Sequence, residues 1–292
     1  MSIQPFNDRD GFIWLNGALK SWRASNFHVL THALHYGSSV FEGERVYNGK
    51  VFKLEDHTDR LFYSAKVLDI EIPFTKNEIN KATYEAISAN SIIDGYVRPI
   101  VWRGSDMMGV SGKGTKANVA IAVWPWPSYF SPEAKMNGIK LDISEWKRPS
   151  PETSPVFAKA AGLYMICTLS HHAAQKKGLD DSLLLDWRGR IAEATGANIF
   201  FIIKGDIHTP VPDCFLDGIT RRTVIQLAKS FDYKVIERVI MPEEMEKADE
   251  CFLTGTAAEV TPVGMIGPYK FTPGKITKQL IRAYDMEVGK II

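Results

Sequence analysis

The chain has 292 residues, of which 45% are hydrophobic and 24% are charged. This is the composition of a folded globular protein, long enough for one or two domains, and it argues against a disordered chain. The 35 Lys and Arg and the 34 Asp and Glu give a formal net charge of +1, and the basic residues are scattered. The chain therefore lacks the basic footprint of a general nucleic-acid binder or of a protein held on an anionic membrane.

Hydrophobic runs and cysteines indicate the compartment. No run of 18 apolar residues is present, and the first residues lack the basic-then-apolar layout of a signal peptide. Cys167, Cys214 and Cys251 lie far apart and form no Cys-x-x-Cys pair. Isolated thiols are typical of buried small side chains in a reducing compartment. We expect a soluble, cytoplasmic protein.

The first half of the chain predicts hairpins followed by helices. Asn16-Gly17 and Asn48-Gly49 each stand between alternating apolar residues, the strongest short-range signal for a β-hairpin. Apolar spacing predicts helices at about 55–68 and 77–90, and strands follow at 95–102 and 117–124. The segment 124–132 then has three prolines in nine residues, which predicts a connector between domains.

The second half predicts a larger domain. Strands are predicted at about 138–146, 181–186, 190–192 and 198–203, the last turning at Gly205-Asp206, and helices at about 163–176, 220–230, 242–247 and 274–288. Thr272-Pro273 predicts the N-cap and first residue of the last helix. Hairpins with helices gathered between them predict an α+β fold, with a small domain at 1–124, an interdomain loop at 125–136 and a large domain at 137–292.

Several chemistries find no support in the pattern. His28, His32 and His35 lie close together, but no Cys or acidic ligand accompanies them, so no metal site is predicted. The phosphate-binding loop of nucleotide enzymes and the nucleophile elbow of hydrolases have no match.

Three turns of small residues stand out instead. Gly218-Ile219-Thr220 opens a predicted helix with Thr220 as its expected N-cap, and Gly255-Thr256-Ala257 follows a predicted strand. Glu193 precedes a third such turn, Thr195-Gly196-Ala197. Free N–H groups at these places favour an anion such as a phosphate or carboxylate. Taken singly, each turn is also typical of a plain loop.

Lys159 lies among apolar and small residues, in Pro-Val-Phe-Ala-Lys-Ala-Ala-Gly. Such surroundings would remove water from the ammonium group, lower its pKa and free the amine as a nucleophile. A surface lysine at the start of a helix remains the alternative.

Taken together, these residues resemble a known family. Glu193-Ala-Thr-Gly-Ala-Asn-Ile-Phe200 resembles the signature of class IV aminotransferases, the fold-type IV pyridoxal 5'-phosphate (PLP) enzymes, and the chain is most similar to branched-chain amino acid aminotransferases. The supporting stretches follow in family order over nearly the whole chain: 35–43, Tyr96-Val-Arg98, Met108-Gly-Val110, 126–129, Lys159 to Tyr164, Gly218-Ile-Thr220-Arg and 255–262. The resemblance implies a small N-terminal domain and a larger domain with a β-barrel-like sheet.

The resemblance also implies roles for single residues toward the cofactor. Lys159 would form a Schiff base with PLP and shuttle the proton of the amino acid, as a neutral amine. Glu193 would keep the pyridinium nitrogen protonated, and Tyr164 would donate to the phenolic oxygen. The phosphate would be bound by Arg60, Thr256 and the N–H groups of Ile219 and Thr220.

For substrates the resemblance implies branched-chain L-amino acids and 2-oxoglutarate. Tyr96 and the N–H groups of Thr256 and Ala257 would hold the α-carboxylate, and Arg98 the side-chain carboxylate of glutamate. The apolar side chain would lie among Tyr36, Phe41, Val110, Trp126, Tyr129 and Tyr164, with Gly43 and Met108 in the same set. In this family the 108–110 loop and the Tyr36 segment come from the neighbouring subunit, which implies a homodimer or a higher homo-oligomer.

Alternatives within the same fold are a D-amino acid or (R)-amine transaminase and an aminodeoxychorismate lyase; a non-catalytic scaffold protein is a further one. Two features depart from the family pattern. Ala160-Ala161 follow the lysine where Gly-Gly is common, and Glu44 occupies a position that is usually apolar. We expect Glu44 to add a charge near the mouth of the pocket and to affect the substrate range.

Overall fold

The computed structural model describes residues 4–126 and 136–290. Two compact units divide the chain: unit 1 is Met1–Pro127 with Ala158–Gly162, and unit 2 is Ser128–Phe157 with Leu163–Ile292. Lys159 therefore belongs to the same unit as the N-terminal half. The predicted interdomain loop, 125–136, lies almost entirely outside the described residues, so its boundaries stay a prediction.

Unit 1 is built on one antiparallel sheet. Its strands are β1 Phe12–Leu15, β2 Ala18–Ser21, β3 Ser39–Phe41, β4 Glu44–Tyr47, β5 Lys50–Val51, β6 Gly95–Arg103 and β7 Ala117–Pro125. They are ordered β2-β1-β7-β6-β4-β5, and β3 pairs with β6. Asn16 and Asn48 both have a φ of 50° in the turns that join β1 to β2 and β4 to β5. Both predicted hairpins are confirmed.

The helices of unit 1 are α1 His32–Tyr36, α2 Leu54–Val67 and α3 Lys76–Ala89, with a short 3-10 helix at Trp22–Ala24. The two predicted helices, 55–68 and 77–90, are thus confirmed within a residue. At the start of α3, Thr75 accepts from the backbone N–H of Glu78, and the Glu78 carboxylate accepts from the backbone N–H of Thr75. This reciprocal pair satisfies two N–H groups that would otherwise lack a partner. The sequence pattern predicts neither α1 nor β3.

Unit 2 contains a closed barrel. Its strands are β8 Ile139–Ile143, β9 Asp181–Leu185, β10 Ile191–Ala194, β11 Asn198–Ile203, β12 Asp206–Pro210, β13 Val235–Arg238, β14 Glu250–Gly255, β15 Glu259–Ile266 and β16 Tyr269–Lys270. The order β10-β9-β8-β15-β14-β11 is closed by a pairing of β10 with β11, which gives six strands around a core that includes Leu141, Ile199 and Val263. The expected α+β class and barrel-like sheet are confirmed. No prediction covered β12, β13, β15 or β16.

The helices of unit 2 are α4 Met165–Lys176, α5 Ile219–Ser230 and α6 Lys275–Glu287. A 3-10 helix at Ala161–Tyr164 precedes α4, and the predicted helix at 242–247 is also a 3-10 helix, Pro242–Lys247. Cys167, Cys214 and Cys251 are buried free thiols, as predicted. Within the described residues, no helix is both long enough and apolar enough to cross a membrane.

Two predicted helix starts are wrong. Helix α6 begins at Lys275 with Gly274 as its N-cap, because the buried Glu250 on β14 accepts bonds from the N–H groups of Gly274 at 3.0 Å and Thr277 at 2.9 Å. A carboxylate distant in sequence thus does the work expected of Thr272. Helix α5 begins one residue early, with Gly218 as its N-cap and Thr220 inside the first turn. The predicted turn at Gly205-Asp206 lies one residue earlier, at Lys204-Gly205, where both residues have positive φ.

Candidate active site

Lys159 lies against the sheet of unit 1. Its backbone N–H donates to Ser64 Oγ at 2.9 Å, and its carbonyl accepts from the N–H of Phe41 at 3.1 Å. The Nζ atom is 5.3 Å from the centre of the Phe41 ring. Burial lowers the pKa of the Lys159 amine, and the positive charge of Arg60 lowers it further. These surroundings favour the neutral amine that the sequence predicted.

Arg98 and Tyr96 lie beside the same aromatic ring. The Arg98 guanidinium is 4.7 Å from the centre of the Phe41 ring, and its Nη2 donates to the Tyr96 hydroxyl at 3.2 Å. Residues 96 and 98 point to one face of β6, as the alternation of a strand requires. A side chain at Gly43 would collide with the Tyr96 hydroxyl, so glycine allows that hydroxyl to approach the backbone.

Aromatic rings continue from Tyr96. Its ring centre lies 5.2 Å from that of Trp124 and 5.4 Å from that of Trp126. Unit 1 therefore brings together five of the predicted substrate residues: Phe41, Gly43, Tyr96, Arg98 and Trp126. Tyr129 lies outside the described residues.

Three further residues of the predicted pocket form a separate, exposed patch of unit 1. Tyr36 at the end of α1, Met108 and Val110 are all exposed. The buried His32 ties them together: its ring is 4.6 Å from the Tyr36 ring, and its Nε2 bonds to the carbonyl of Gly109 at 2.8 Å. His32 is thus a packed histidine, with both ring nitrogens in hydrogen bonds.

Arg60 is held by a buried acid. Its Nε and Nη2 donate to the two oxygens of Glu42 at 2.7 and 2.8 Å, and His57 Nδ1 bonds to Glu42 Oε2 at 2.7 Å. Burial alone would raise the pKa of Glu42, but the charge and hydrogen bonds of Arg60 outweigh it and hold that pKa well below its usual range. Burial lowers the pKa of His57, so the neutral ring donates to an ionised carboxylate.

Glu44 differs from the expectation of a charge near the pocket mouth. Only 1% of the residue is exposed, and its Oε2 has no hydrogen-bond partner among the described residues. Burial, together with the negative charge of Glu42, raises the pKa of Glu44 well above the usual value. Burial thus favours the neutral form of this acid, and the expectation of an added surface charge is wrong because the whole of β4 is buried.

Glu44→Gln should make the stability of the protein less sensitive to alkaline pH. A folded-state pKa above the unfolded value means that the folded chain binds the extra proton, so stability falls as the pH rises between the two values, by up to about 1.4 kcal/mol per pH unit. We expect the variant to gain stability over the parent as denaturant unfolding is moved from pH 5 to pH 8. The same change at the exposed Glu85 is the control. A pH-independent difference between parent and Glu44→Gln would contradict the assignment.

In unit 2, Glu193 lies on β10 opposite Asn198 of β11. Its Oε1 is 3.5 Å from Nε of the buried Arg148, and its Oε2 accepts from Asn198 Nδ2 at 3.2 Å. A cation and an amide, one at each oxygen, hold the carboxylate in place.

The turns singled out in the sequence converge on the same part of unit 2. Asn198 Nδ2 also donates to the carbonyl of Leu216 at 3.0 Å, and a Cβ at Gly218 would collide with the Asn198 side chain. A Cβ at Gly255 would lie 3.2 Å from the carbonyl of Gly196. The first turn of α5 has no side-chain cap, so its N–H groups are available for an anion. Glu193, Gly218–Thr220 and Gly255–Ala257 therefore all adjoin the segment 196–198.

Tyr164 lies at the start of α4, where it is half-buried and not part of the core. Ala160, which follows the lysine where glycine is common in the family, is buried and forms a backbone bridge to Val40 of β3.

Comparison with known proteins agrees with this geometry. The family model described as amino-transferase class IV matches residues 39–266. That match spans more than half of the chain and includes the proposed lysine and all the small-residue turns. The chain belongs to the class IV aminotransferase family.

Relatives of this class IV aminotransferase match nearly its whole length. The branched-chain-amino-acid aminotransferase of Pseudomonas aeruginosa is 43% identical over 291 residues, covering 97% of this chain and 95% of the relative. The structure of the branched-chain aminotransferase of Thermoproteus uzoniensis with norvaline has a TM-score of 0.90 at 35% identity, covering 96% of this chain and 95% of the other. The structure of the branched-chain amino acid aminotransferase of Thermobaculum terrenum in its PLP form has a TM-score of 0.87 at 31% identity, covering 95% of this chain and 93% of the other.

Sequence reasoning missed the side chains that hold the site residues in place: Glu42, His57, Ser64, Arg148 and the amide of Asn198. For Glu42 the sequence offered one signal, a charged residue within an otherwise apolar strand region. A charged residue that is buried in such a region almost always has a partner. The others look like ordinary polar residues of helices and loops, and only their contacts reveal what they do.

Proposed function

We propose that the chain catalyses the reversible transfer of the amino group of L-leucine, L-isoleucine or L-valine to 2-oxoglutarate, with PLP as its cofactor. The observation that carries the proposal is the setting of Lys159: a half-buried amine of lowered pKa, 5.3 Å from the Phe41 ring that also contacts Arg98. Membership of the class IV aminotransferases and the similarity to branched-chain enzymes support it.

The residues present fit this cofactor. A phosphate needs N–H donors and a cation. The uncapped first turn of α5 in unit 2 offers such donors, and Arg60 of unit 1 is a cation. A pyridinium nitrogen needs a carboxylate partner, which Glu193, 3.5 Å from Arg148, offers. We assign phosphate binding to Arg60, Ile219, Thr220 and Thr256, the ring nitrogen to Glu193, and the phenolic oxygen to Tyr164.

When bound, PLP supplies an aldehyde for the amine of Lys159 and an electron sink for the pair left when the Cα–H bond of the amino acid breaks. Lys159, as a neutral amine, would take that proton from Cα and deliver it to the C4′ atom of the cofactor. Glu193 keeps the ring nitrogen protonated by accepting its hydrogen bond. Tyr96 and the N–H groups of Thr256 and Ala257 would bind and orient the α-carboxylate.

One pocket has to accept both an aliphatic side chain and the carboxylate of glutamate. We assign the aliphatic chain to Tyr36, Phe41, Val110, Trp126, Tyr129 and Tyr164, with Gly43 and Met108 beside them, and the carboxylate of glutamate to Arg98. Arg98 lies over the Phe41 ring, so a longer acidic chain can reach the guanidinium while a shorter apolar chain stays on the rings.

A homodimer completes the proposal. Tyr36, Met108 and Val110 are apolar and exposed on one patch of unit 1, which is typical of a surface covered by another subunit. In the proposed assembly these residues reach the active site of the partner. A cytoplasmic location stays a prediction from the sequence.

The test of the proposed function is a set of half-reactions followed by the absorbance of bound PLP. We expect rapid conversion of the bound cofactor by L-leucine and by L-glutamate, and no comparable change with D-alanine or an (R)-amine. Rapid reaction with only a D-amino acid or an (R)-amine would show that the chain is a D-amino acid or (R)-amine transaminase instead. A bound cofactor that no amine converts would refute transamination.

Arg98→Ala should separate the two natural substrates. Loss of a charge-assisted bond to the side-chain carboxylate should lower kcat/KM for glutamate by roughly 10²-fold, while leucine, which has no carboxylate there, loses only a few-fold. Steady-state kinetics with each amino donor measures the difference. Arg98→Lys, which keeps the charge, should retain part of the glutamate activity. Equal losses for both substrates would remove Arg98 from its assigned role.

A further inference from the structure

The buried carboxylate of Glu42 is surrounded by hydrogen-bond donors. It is fully buried and has four donors: Nε and Nη2 of Arg60, Nδ1 of His57 and, at 3.4 Å, the backbone N–H of Gly43. Both oxygens are engaged. Buried ion pairs contribute little to stability compared with an apolar replacement, so an arrangement this complete calls for another explanation.

The geometry of the Arg60–Glu42 pair suggests what this arrangement does. A guanidinium has five N–H donors arranged in two usable forks, the side-on fork of Nε and Nη2 and the end-on fork of Nη1 and Nη2. Glu42 occupies the side-on fork, at 2.7 and 2.8 Å. The direction of the end-on fork is thereby set by a carboxylate that cannot itself move, because His57 and the backbone hold it.

We propose that Glu42 is a positioning residue for the cofactor: it grips Arg60 by the side-on fork so that the end-on fork faces the phosphate. The inference rests on the proposed function, and it adds a residue to which the family resemblance gave no role. Without Glu42, the Arg60 side chain would have to give up rotamer freedom each time it bound a phosphate, and affinity would fall accordingly.

Helix α2 links this grip to the lysine. Arg60 and Ser64 are one turn apart on α2, and Ser64 Oγ accepts from the backbone N–H of Lys159 at 2.9 Å. The same helix thus fixes the backbone of the lysine independently of Glu42. A variant of Glu42 should therefore disturb the phosphate contact and leave the attachment point of the cofactor in place.

The test compares two ligands that differ only in the phosphate. Glu42→Gln is made in the full chain, the cofactor is removed, and dissociation constants for PLP and for pyridoxal are measured by absorbance and tryptophan fluorescence. We expect the constant for PLP to rise at least about tenfold, the scale of one charge-assisted hydrogen bond, and that for pyridoxal to stay within about twofold. Equal weakening of the binding of PLP and of pyridoxal, or no weakening of either, would overturn the proposal.

Glu44→Gln is the matched control, because it is the same substitution at a buried position two residues along, with no bond to Arg60; its affinity for PLP should not change. A double-mutant cycle with Arg60→Lys sharpens the result. Because lysine has no side-on fork, Glu42→Gln in the Arg60→Lys background should weaken PLP binding little further. Additive losses would contradict the grip on Arg60.

If Glu42→Gln does not fold, Glu42→Asp withdraws the carboxylate by one methylene, keeps its charge and permits the same comparison of ligands. A parent chain that binds neither PLP nor pyridoxal would refute the proposed function, and that result is distinct from all the outcomes above.

Discussion

We expect Lys159→Ala to lower kcat for transamination of L-leucine by at least about 10⁴-fold, because the variant lacks both the amine that bonds to the cofactor and the base that moves the Cα proton. The lowered pKa of Lys159 is the physical reason that this lysine can do both. An amine of ordinary pKa, about 10.4, would be almost entirely protonated at neutral pH, which leaves little of the neutral form that attacks the aldehyde and accepts a proton. Stopped-flow absorbance of the half-reaction measures the loss directly.

Two further measurements strengthen the Lys159 experiment. Borohydride treatment of the parent holoenzyme, followed by peptide mass analysis, should place the reduced cofactor on the Lys159 peptide, and the variant should show none there. Lys147→Ala, the same substitution at an exposed lysine, should retain full activity. An unchanged rate in Lys159→Ala, or the reduced cofactor on a different lysine, would refute the assignment.

Glu193→Gln is expected to lower kcat by roughly 10²–10³-fold, comparable to the loss of one well-placed group that stabilises charge in a transition state. Glutamine is nearly isosteric and can still bond to Asn198, but it carries no negative charge to keep the pyridinium nitrogen protonated. Arg148, 3.5 Å from Glu193 Oε1, would then face a neutral amide in a buried position. The loss should therefore appear in the chemical step and much less in the binding of the amino acid.

The measurement for Glu193→Gln compares the change in kcat with the change in KM relative to the parent. We expect a large fall in kcat with a nearly unchanged KM for L-leucine, together with a shifted absorbance maximum of the bound cofactor. Glu246→Gln, at an exposed position of the same unit, is the control. Full activity in Glu193→Gln, or a loss confined to KM, would remove Glu193 from the ring nitrogen.

Local signals predicted much of the fold. The Asn-Gly pairs adopt positive φ as the hairpin turns require, and the apolar spacing of α2 and α3 placed both helices within a residue. Prediction failed where a distant side chain decided the outcome. Thr272-Pro273 has the right composition to start α6, yet Glu250, on a strand 24 residues before Gly274, caps the helix at that glycine instead.

The candidate site divides in the same way. Lys159, Glu193 and the turns at 218–220 and 255–257 could be picked out because their residue types, in family order, are specific. Their neighbours Glu42 and Arg148 could not, because each acts through a contact with a residue far away in sequence, and a single acid or arginine has no distinctive local pattern.

By itself, the sequence determined the hairpin turns, the amphipathic helices and the order of motifs that identifies a class IV aminotransferase, because all of these depend on neighbouring residues. Only the tertiary structure decided which strands close the barrel, that Glu44 lies in the interior with a raised pKa, and that Glu42 grips Arg60. The physical reason is that desolvation and charge pairing depend on what surrounds a group in space. Those surroundings come from strands and helices that meet only when the chain has folded.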